Sequence, residues 1–193
     1  MLGQRDIPLS DAGITQAEHA AAALRGLKMS EVLSSPLQRA IQTAEIIGQG
    51  AGIEVARDPR LIDFQAGKWT GMTYADVARN EEYQRFIQQP ESERIPGGES
   101  LEDVRRRAVA AIDQALRDNA TGDALAIVTH AGIIRVLITH YMGSAPANYH
   151  RVRVSPGSIS ILGFADDRQL PRVLAVNLVG SIELALRPVA AVL

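Results

Sequence analysis

Ala124-Leu-Ala-Ile-Val-Thr-His130-Ala-Gly132-Ile-Ile-Arg135-Val-Leu-Ile-Thr-His140-Tyr-Met142 is the stretch from which the fold is read. Residues 125–128 form a short apolar run rich in branched side chains, long enough for one buried strand. From Ile133 onward, Ile134, Val136, Leu137, Ile138 and Tyr141 recur at helical spacing, and Gly143 stops the pattern. His130 therefore stands where a buried strand hands over to a helix. In α/β sheets, ligands bind in the crevice beyond the carboxyl ends of the strands. A helix N-terminus there offers unpaired N–H groups and a positive dipole end, which suits an anion. Ala131 and Gly132 are small, so a ligand can approach the backbone. The plainer alternative for His130 is a hydrogen-bonded structural residue.

Working outward, a second junction has the same character. Residues 31–34 read as a strand, and Ser35 is expected to cap a helix with Pro36 at its first position. Leu37, Ala40, Ile41, Ala44 and Ile47 would face inward. Arg39, one turn inside, can reach over the helix N-terminus and clamp a multiply charged oxyanion, or it is an exposed surface arginine. Parallel strands put such junctions on one sheet edge, so neighbouring strands would let His130 and Arg39 share a pocket. Residues 60–73 are irregular, with Asp63 between apolar neighbours. Near Phe64 and Trp69 that carboxyl would be partly desolvated and could hold a proton for a leaving group. An ordinary turn aspartate is the alternative.

The remaining chain alternates helix and strand. A helix is expected from about 11 to 24, capped by Ser10, with Ile14, Ala17, Ala21 and Leu24 inward. His19 on it reads as a solvated histidine. A short strand follows at 53–55. Residues 74–89 read as a polar helix and 90–98 as a loop, giving a cap or lid at about 72–98. Ser100 and Asp103 form a capping box opening a helix to about 116, with Leu101, Val104, Ala108, Ala111, Ile112 and Ala115 inward. Arg105, Arg106 and Arg107 read as a solvated charge run, although not all three can point outward. Strands are expected at 159–164 and 173–177, and a tail at 187–193. The fold class is α/β, three layers with a largely parallel central sheet, in one domain spanning 1–193.

Composition narrows the partners. The 193 residues hold 46% hydrophobic residues, enough for a sizeable core, and a net charge of −2 disfavours nucleic acid. No cysteine is present, which excludes disulfides and thiolate chemistry. No apolar run reaches the roughly 18 residues of a membrane span. The N-terminal residues lack a signal-peptide layout, and a cytoplasmic location is expected. No metal-ligand cluster is visible.

Five motifs, in order, are familiar. Gly3-Gln-Arg-Asp-Ile-Pro-Leu-Ser-Asp-Ala-Gly13 with Gln16-Ala17 is the first. Ser34-Ser-Pro-Leu-Gln-Arg-Ala40 with Gln42-Thr-Ala44 is the second, and Leu61-Ile-Asp63 with Gly67 and Trp69-Thr-Gly71 the third. Gly98-Glu-Ser100 with Arg107, and Val128-Thr-His-Ala-Gly132 with Arg135, complete the set. Together they resemble the histidine phosphatase superfamily, in its phosphoglycerate mutase-like branch. The resemblance implies hydrolysis of small phosphate monoesters through a phosphohistidine intermediate, without metal or cofactor. It implies that His130 is the second pocket histidine, with the Ala131 amide as a donor beside it. Arg39 would be a phosphate-binding arginine and Asp63 the proton donor. The expected partner is a small phosphorylated metabolite. A homodimer through the apolar residues 189–193 is left open.

The sequence also departs from that pattern. The family's nucleophile lies in an opening strand ending Arg-His-Gly, and no Arg-His-Gly occurs here. Asp63 and Thr70 stand where relatives often have glutamate. The first central strand is thus expected to be missing, through a chain start placed too far downstream or a fragment rather than a natural pseudoenzyme. The 193 residues are expected to hydrolyse phosphate esters poorly or not at all. A non-catalytic phospho-ligand binder and a phosphoglycerate mutase-type phosphotransferase are the alternatives. The short span from Gly71 to Gly98 disfavours the mutase.

Overall fold

A computed structural model describes residues 1–164, 171–180 and 182. The tail at 187–193, and the homodimer surface read on it, lie outside the described residues. Helix α1 (Asp11–Ala23) begins at Ser10, whose hydroxyl accepts from the Gly13 amide. Strand β1 (Met29–Ser34) leads into α2 (Gln38–Ala51), and β2 (Val55–Arg57) follows. Two short helices come next, α3 (Tyr74–Ala78) and α4 (Glu81–Gln88). Helix α5 (Leu101–Asp118), strand β3 (Ala124–Val128) and helix α6 (Ala131–Tyr141) form the second half of the core. Strands β4 (Ile159–Gly163) and β5 (Arg172–Leu178) close the described chain.

The main sheet is parallel, in the order β2-β1-β3. Successive residues of a strand face opposite sides, and here that alternation sorts two cores. Val32 of β1 packs with Ala44 and Ile47 of α2, next to Ala126 and Val128 of β3. Leu33, one residue on, packs with the inner face of α5 and with Ile133, Val136 and Leu137 of α6, next to Leu125 and Ile127. Helices therefore cover both faces, giving the expected α/β/α layering. The six α5 residues expected inward are all buried. Its capping box is complete: Ser100 Oγ accepts from Asp103 N, and an Asp103 carboxylate oxygen accepts from Ser100 N, both at 3.1 Å.

Several boundaries differ from expectation. Helix α2 starts at Gln38 with Leu37 as its cap residue, not at Pro36 after Ser35. The Ser35 hydroxyl is committed elsewhere, as described below. The strand expected at 53–55 is displaced to Val55–Arg57. The polar helix at 74–89 is broken, because the Asn80 side chain accepts from the Glu82 and Tyr83 amides and starts a new helix. In α1, Ala17 and Ala20 are buried while Ile14 is 39% exposed. Strands β4 and β5 pair antiparallel in a sheet of their own, so β3 ends the parallel sheet among the described residues. No helix among the described residues is long and apolar enough to cross a membrane.

Candidate active site

Strand pairing brings the two junctions together. Ser34 at the end of β1 is in register with Val128 at the end of β3, and the Ser35 amide donates to the Val128 carbonyl at 2.9 Å. One residue further, Ser35 Oγ lies 2.7 Å from His130 Nε2, and both side chains are buried. His130 is the cap residue of α6, and Ala131 is the first residue of that helix. The Ala131 amide is one of the first-turn donors that a helix leaves without an intrahelical acceptor.

Asp63 joins both arms. Its Oδ2 lies 3.2 Å from Arg39 Nη2 and 3.9 Å from His130 Nδ1. Its Oδ1 accepts from the Phe64 amide at 2.9 Å. Arg39, the second residue of α2, also donates to the Arg5 and Gly3 carbonyls, each at 2.8 Å. These bonds hold its guanidinium over the helix start. The three side chains singled out from sequence thus meet around one carboxylate oxygen.

Burial dominates the electrostatics. It pushes the Asp63 carboxyl above the ordinary aspartate range, against the pull of the Phe64 amide and of Arg39 and Arg107. Burial also drives His130 down to about 3, and the fields of Arg39 and Arg107 act in the same direction. His130 is therefore neutral near pH 7, and its contact with Asp63 is not an ion pair there. A carboxyl that keeps its proton unusually long, beside a fixed guanidinium, has the properties of a proton donor to a leaving oxygen.

Two contributors were not legible as such. Ser35 reads as a helix cap in sequence, but its hydroxyl orients His130. Its signal was its position one residue beyond the end of β1, level with the β3 junction. Arg107 lies in a run that reads as solvated, yet it turns inward. It donates to the carbonyls of Arg60 at 2.7 Å, Ile62 at 2.6 Å and Asp63 at 3.2 Å, and it pairs with Glu99 at 2.8 Å. Glu99 in turn accepts from the Gln65 amide at 2.9 Å. The loop carrying Asp63 is thereby tied on both sides. The other histidines are elsewhere. His19 is on α1, His140 adjoins Arg105 and Tyr141, and His150 adjoins Tyr149. Among the described residues, no group of acidic and histidine side chains could hold a metal ion.

Comparisons with known proteins find similar sequences and folds. Residues 1–178 match the family model described as histidine phosphatase superfamily (branch 1). A probable phosphoglycerate mutase GpmB of Yersinia pestis (strain Pestoides F) is 31% identical over 166 residues, covering 85% of this chain and 77% of that protein. A mycobacterial glucosyl-3-phosphoglycerate phosphatase superposes with a TM-score of 0.82 at 27% identity, covering 94% of this chain and 92% of that one. Bacillus stearothermophilus YhfR gives 0.81 at 26%, covering 96% and 90%.

Proposed function

The chain belongs to the histidine phosphatase superfamily, branch 1, and from that membership we propose that it binds small phosphate monoesters in a pocket made by His130, Arg39, Asp63 and the Ala131 amide. In a form that also supplies the attacking histidine, the reaction of this pocket is hydrolysis. The observation that carries the reading is the meeting of Arg39 and His130 on one oxygen of Asp63. A bound phosphoryl group would take over Arg39 from that carboxylate and face the free amides opening α6.

The hydrolytic step follows the family's chemistry. A histidine attacks phosphorus, the phosphorus–oxygen bond to the leaving group breaks, and Asp63 delivers its proton to the departing oxygen. Water then splits the phosphohistidine. Fixed positive charge around the transferring oxygens supplies the stabilisation. Residues 1–193 contain no Arg-His-Gly, and His130 is held neutral by burial as a pocket wall. These 193 residues should therefore bind phosphate but turn over esters poorly. This work takes place in the cytoplasm, in one domain whose residues 72–98 form the lid.

Calorimetric titration with inorganic phosphate or vanadate tests the pocket. Binding should weaken at least tenfold in Arg39→Ala, and binding indifferent to that change would remove the proposal. A form carrying an Arg-His-Gly strand ahead of residue 1 should hydrolyse p-nitrophenyl phosphate at mildly acidic pH through an acid-labile phosphoenzyme. A silent form that still binds phosphate would favour a non-catalytic phospho-ligand binder, the reading that the absent motif itself supports. The similarity to a probable mutase is tested by incubating that form with 3-phosphoglycerate. Appearance of the isomeric ester would replace hydrolysis with phosphotransfer.

A further inference from the structure

Thr129 stands between the end of β3 and His130, and its hydroxyl crosses to another segment. Thr129 Oγ1 donates to the Leu61 carbonyl at 2.7 Å, sixty-eight residues back along the chain. Leu61 is fully buried and opens the loop that carries Asp63, the acid loop. The bond closes a ring around the site. The Asp58 amide donates to the Ser34 carbonyl at 2.9 Å, and the Leu61 amide donates to the Asp58 carbonyl at 3.1 Å. The Ser35 amide reaches the Val128 carbonyl at 2.9 Å, and Thr129 returns to Leu61. The ends of β1 and β3 and the acid loop are thereby joined. The other links of the ring are backbone to backbone, and a side-chain change does not remove them. The Thr129 hydroxyl is the link that a substitution can open.

The loop is also held by Arg107, which takes the carbonyls of Arg60, Ile62 and Asp63. Leu61, within the same run, gives its carbonyl to Thr129. Arg107 ties the loop to α5, whereas Thr129 ties it to the residue beside His130. Beyond His130, Gly132 bears on the loop too, since a Cβ there would stand 2.9 Å from the Phe64 ring. Contacts at Leu61 and Phe64 thus bracket Asp63, and they come from residues that bracket His130. A β-branched side chain suits the first contact, because its restricted χ1 aims the hydroxyl.

We propose that Thr129 is a positioning residue: its hydroxyl seats the acid loop on the His130 junction and so sets where the Asp63 carboxyl stands relative to His130 and the transferring group. The inference rests on the phosphate-ester reading of the pocket and adds the part that aims its acid. In the seated loop Asp63 Oδ2 lies 3.9 Å from His130 Nδ1. The charged and titratable groups facing that carboxyl are Arg39 of α2, Arg107 of α5 and His130. Burial is the largest influence on it and outweighs the pull of both arginines. A loop lifted from Thr129 admits water to the carboxylate, so its pKa should return toward the ordinary aspartate range.

Carbon NMR of aspartate-labelled protein reads the Asp63 midpoint directly, with Asp63→Asn identifying the signal. Thr129→Val keeps the side-chain shape and removes the donor. It should lower the midpoint by about one pH unit, a tenfold change in the proton equilibrium. Thr129→Ser restores the donor and should keep the parent midpoint. Calorimetry with inorganic phosphate at successive pH values should follow: the gain in affinity moves to lower pH in Thr129→Val and stays in place in Thr129→Ser. An Asp63 midpoint unmoved by Thr129→Val overturns the role, as does a parent midpoint within the ordinary range. If Thr129→Val does not fold, Thr129→Ala carries the test. If both fail to fold while Thr129→Ser folds, the hydroxyl is structural only and the positioning role falls. A shifted midpoint in a protein that binds no phosphate sinks the pocket and spares the positioning role. Phosphate binding that depends on Arg39, with an unmoved midpoint, does the reverse.

Discussion

At the residue scale, two groups carry the pH behaviour. Asp63 sits above the ordinary aspartate range because burial outweighs its hydrogen bond and cations. As pH falls through that raised pKa, the carboxyl takes a proton and releases Arg39. Phosphate affinity should therefore increase as pH falls through that raised pKa. Asp63→Asn should flatten that profile in titrations at successive pH values, and an unchanged profile would detach Asp63 from the pocket. His130 has the opposite sign. Its native pKa of about 3 lies below its unfolded value of 6.5, so the unfolded chain binds the proton first and stability falls as pH drops from 6.5 toward 3. His130→Asn should lose less stability over that window in urea titrations. Ser35→Ala strips His130 Nε2 of its partner at 2.7 Å. Leaving that nitrogen buried and unbonded costs about 1–3 kcal/mol, readable as a lower urea midpoint.

At the element scale, the acid loop is aimed by what docks on it. Gly98 lies so close to the loop that a Cβ would come within 2.1 Å of the Gln65 carbonyl, and one on Gly67 within 2.2 Å of the Pro96 carbonyl. Backbone atoms cannot yield as a flexible side chain does, so Gly98→Ala should push the loop off and lower stability by roughly 2 kcal/mol or more, readable as a lower urea midpoint. Arg107→Leu removes the donor to three loop carbonyls and leaves Glu99 without its cation. Breaking a largely buried pair costs about 3–5 kcal/mol, and phosphate affinity should fall with it. The helix α5 that carries Arg107 was legible down to its inner face, because its apolar spacing is regular and its capping box is local. The start of α2 was not, because Ser35 had two competing partners. The hydroxyl accepts from the local Leu37 amide at 3.4 Å, but its shorter contact, at 2.7 Å, is with His130, ninety-five residues away.

At the scale of the whole molecule, β1 is the anchor. It is flanked by β2 and β3, and Val32 and Ser34 are fully buried, whereas β3 ends the parallel sheet among the described residues and its own residues stay half-buried. Hydrogen exchange should find β1 amides the slowest and β3 amides roughly tenfold or more faster, since protection follows local opening. Equal protection of the two strands would contradict that ordering. The sequence by itself determined the α/β alternation, the inner face of α5 and the two strand-to-helix junctions, because apolar periodicity and capping are written in neighbouring residues. It also singled out His130, Arg39 and Asp63 as a set. Only the tertiary structure decided that one Asp63 oxygen serves both partners, that Ser35 orients His130, and that Arg107 points inward while Arg135 Nε meets no acceptor among the described residues. Those choices depend on distances between segments far apart along the chain, which strand register and loop docking set and no local spacing encodes.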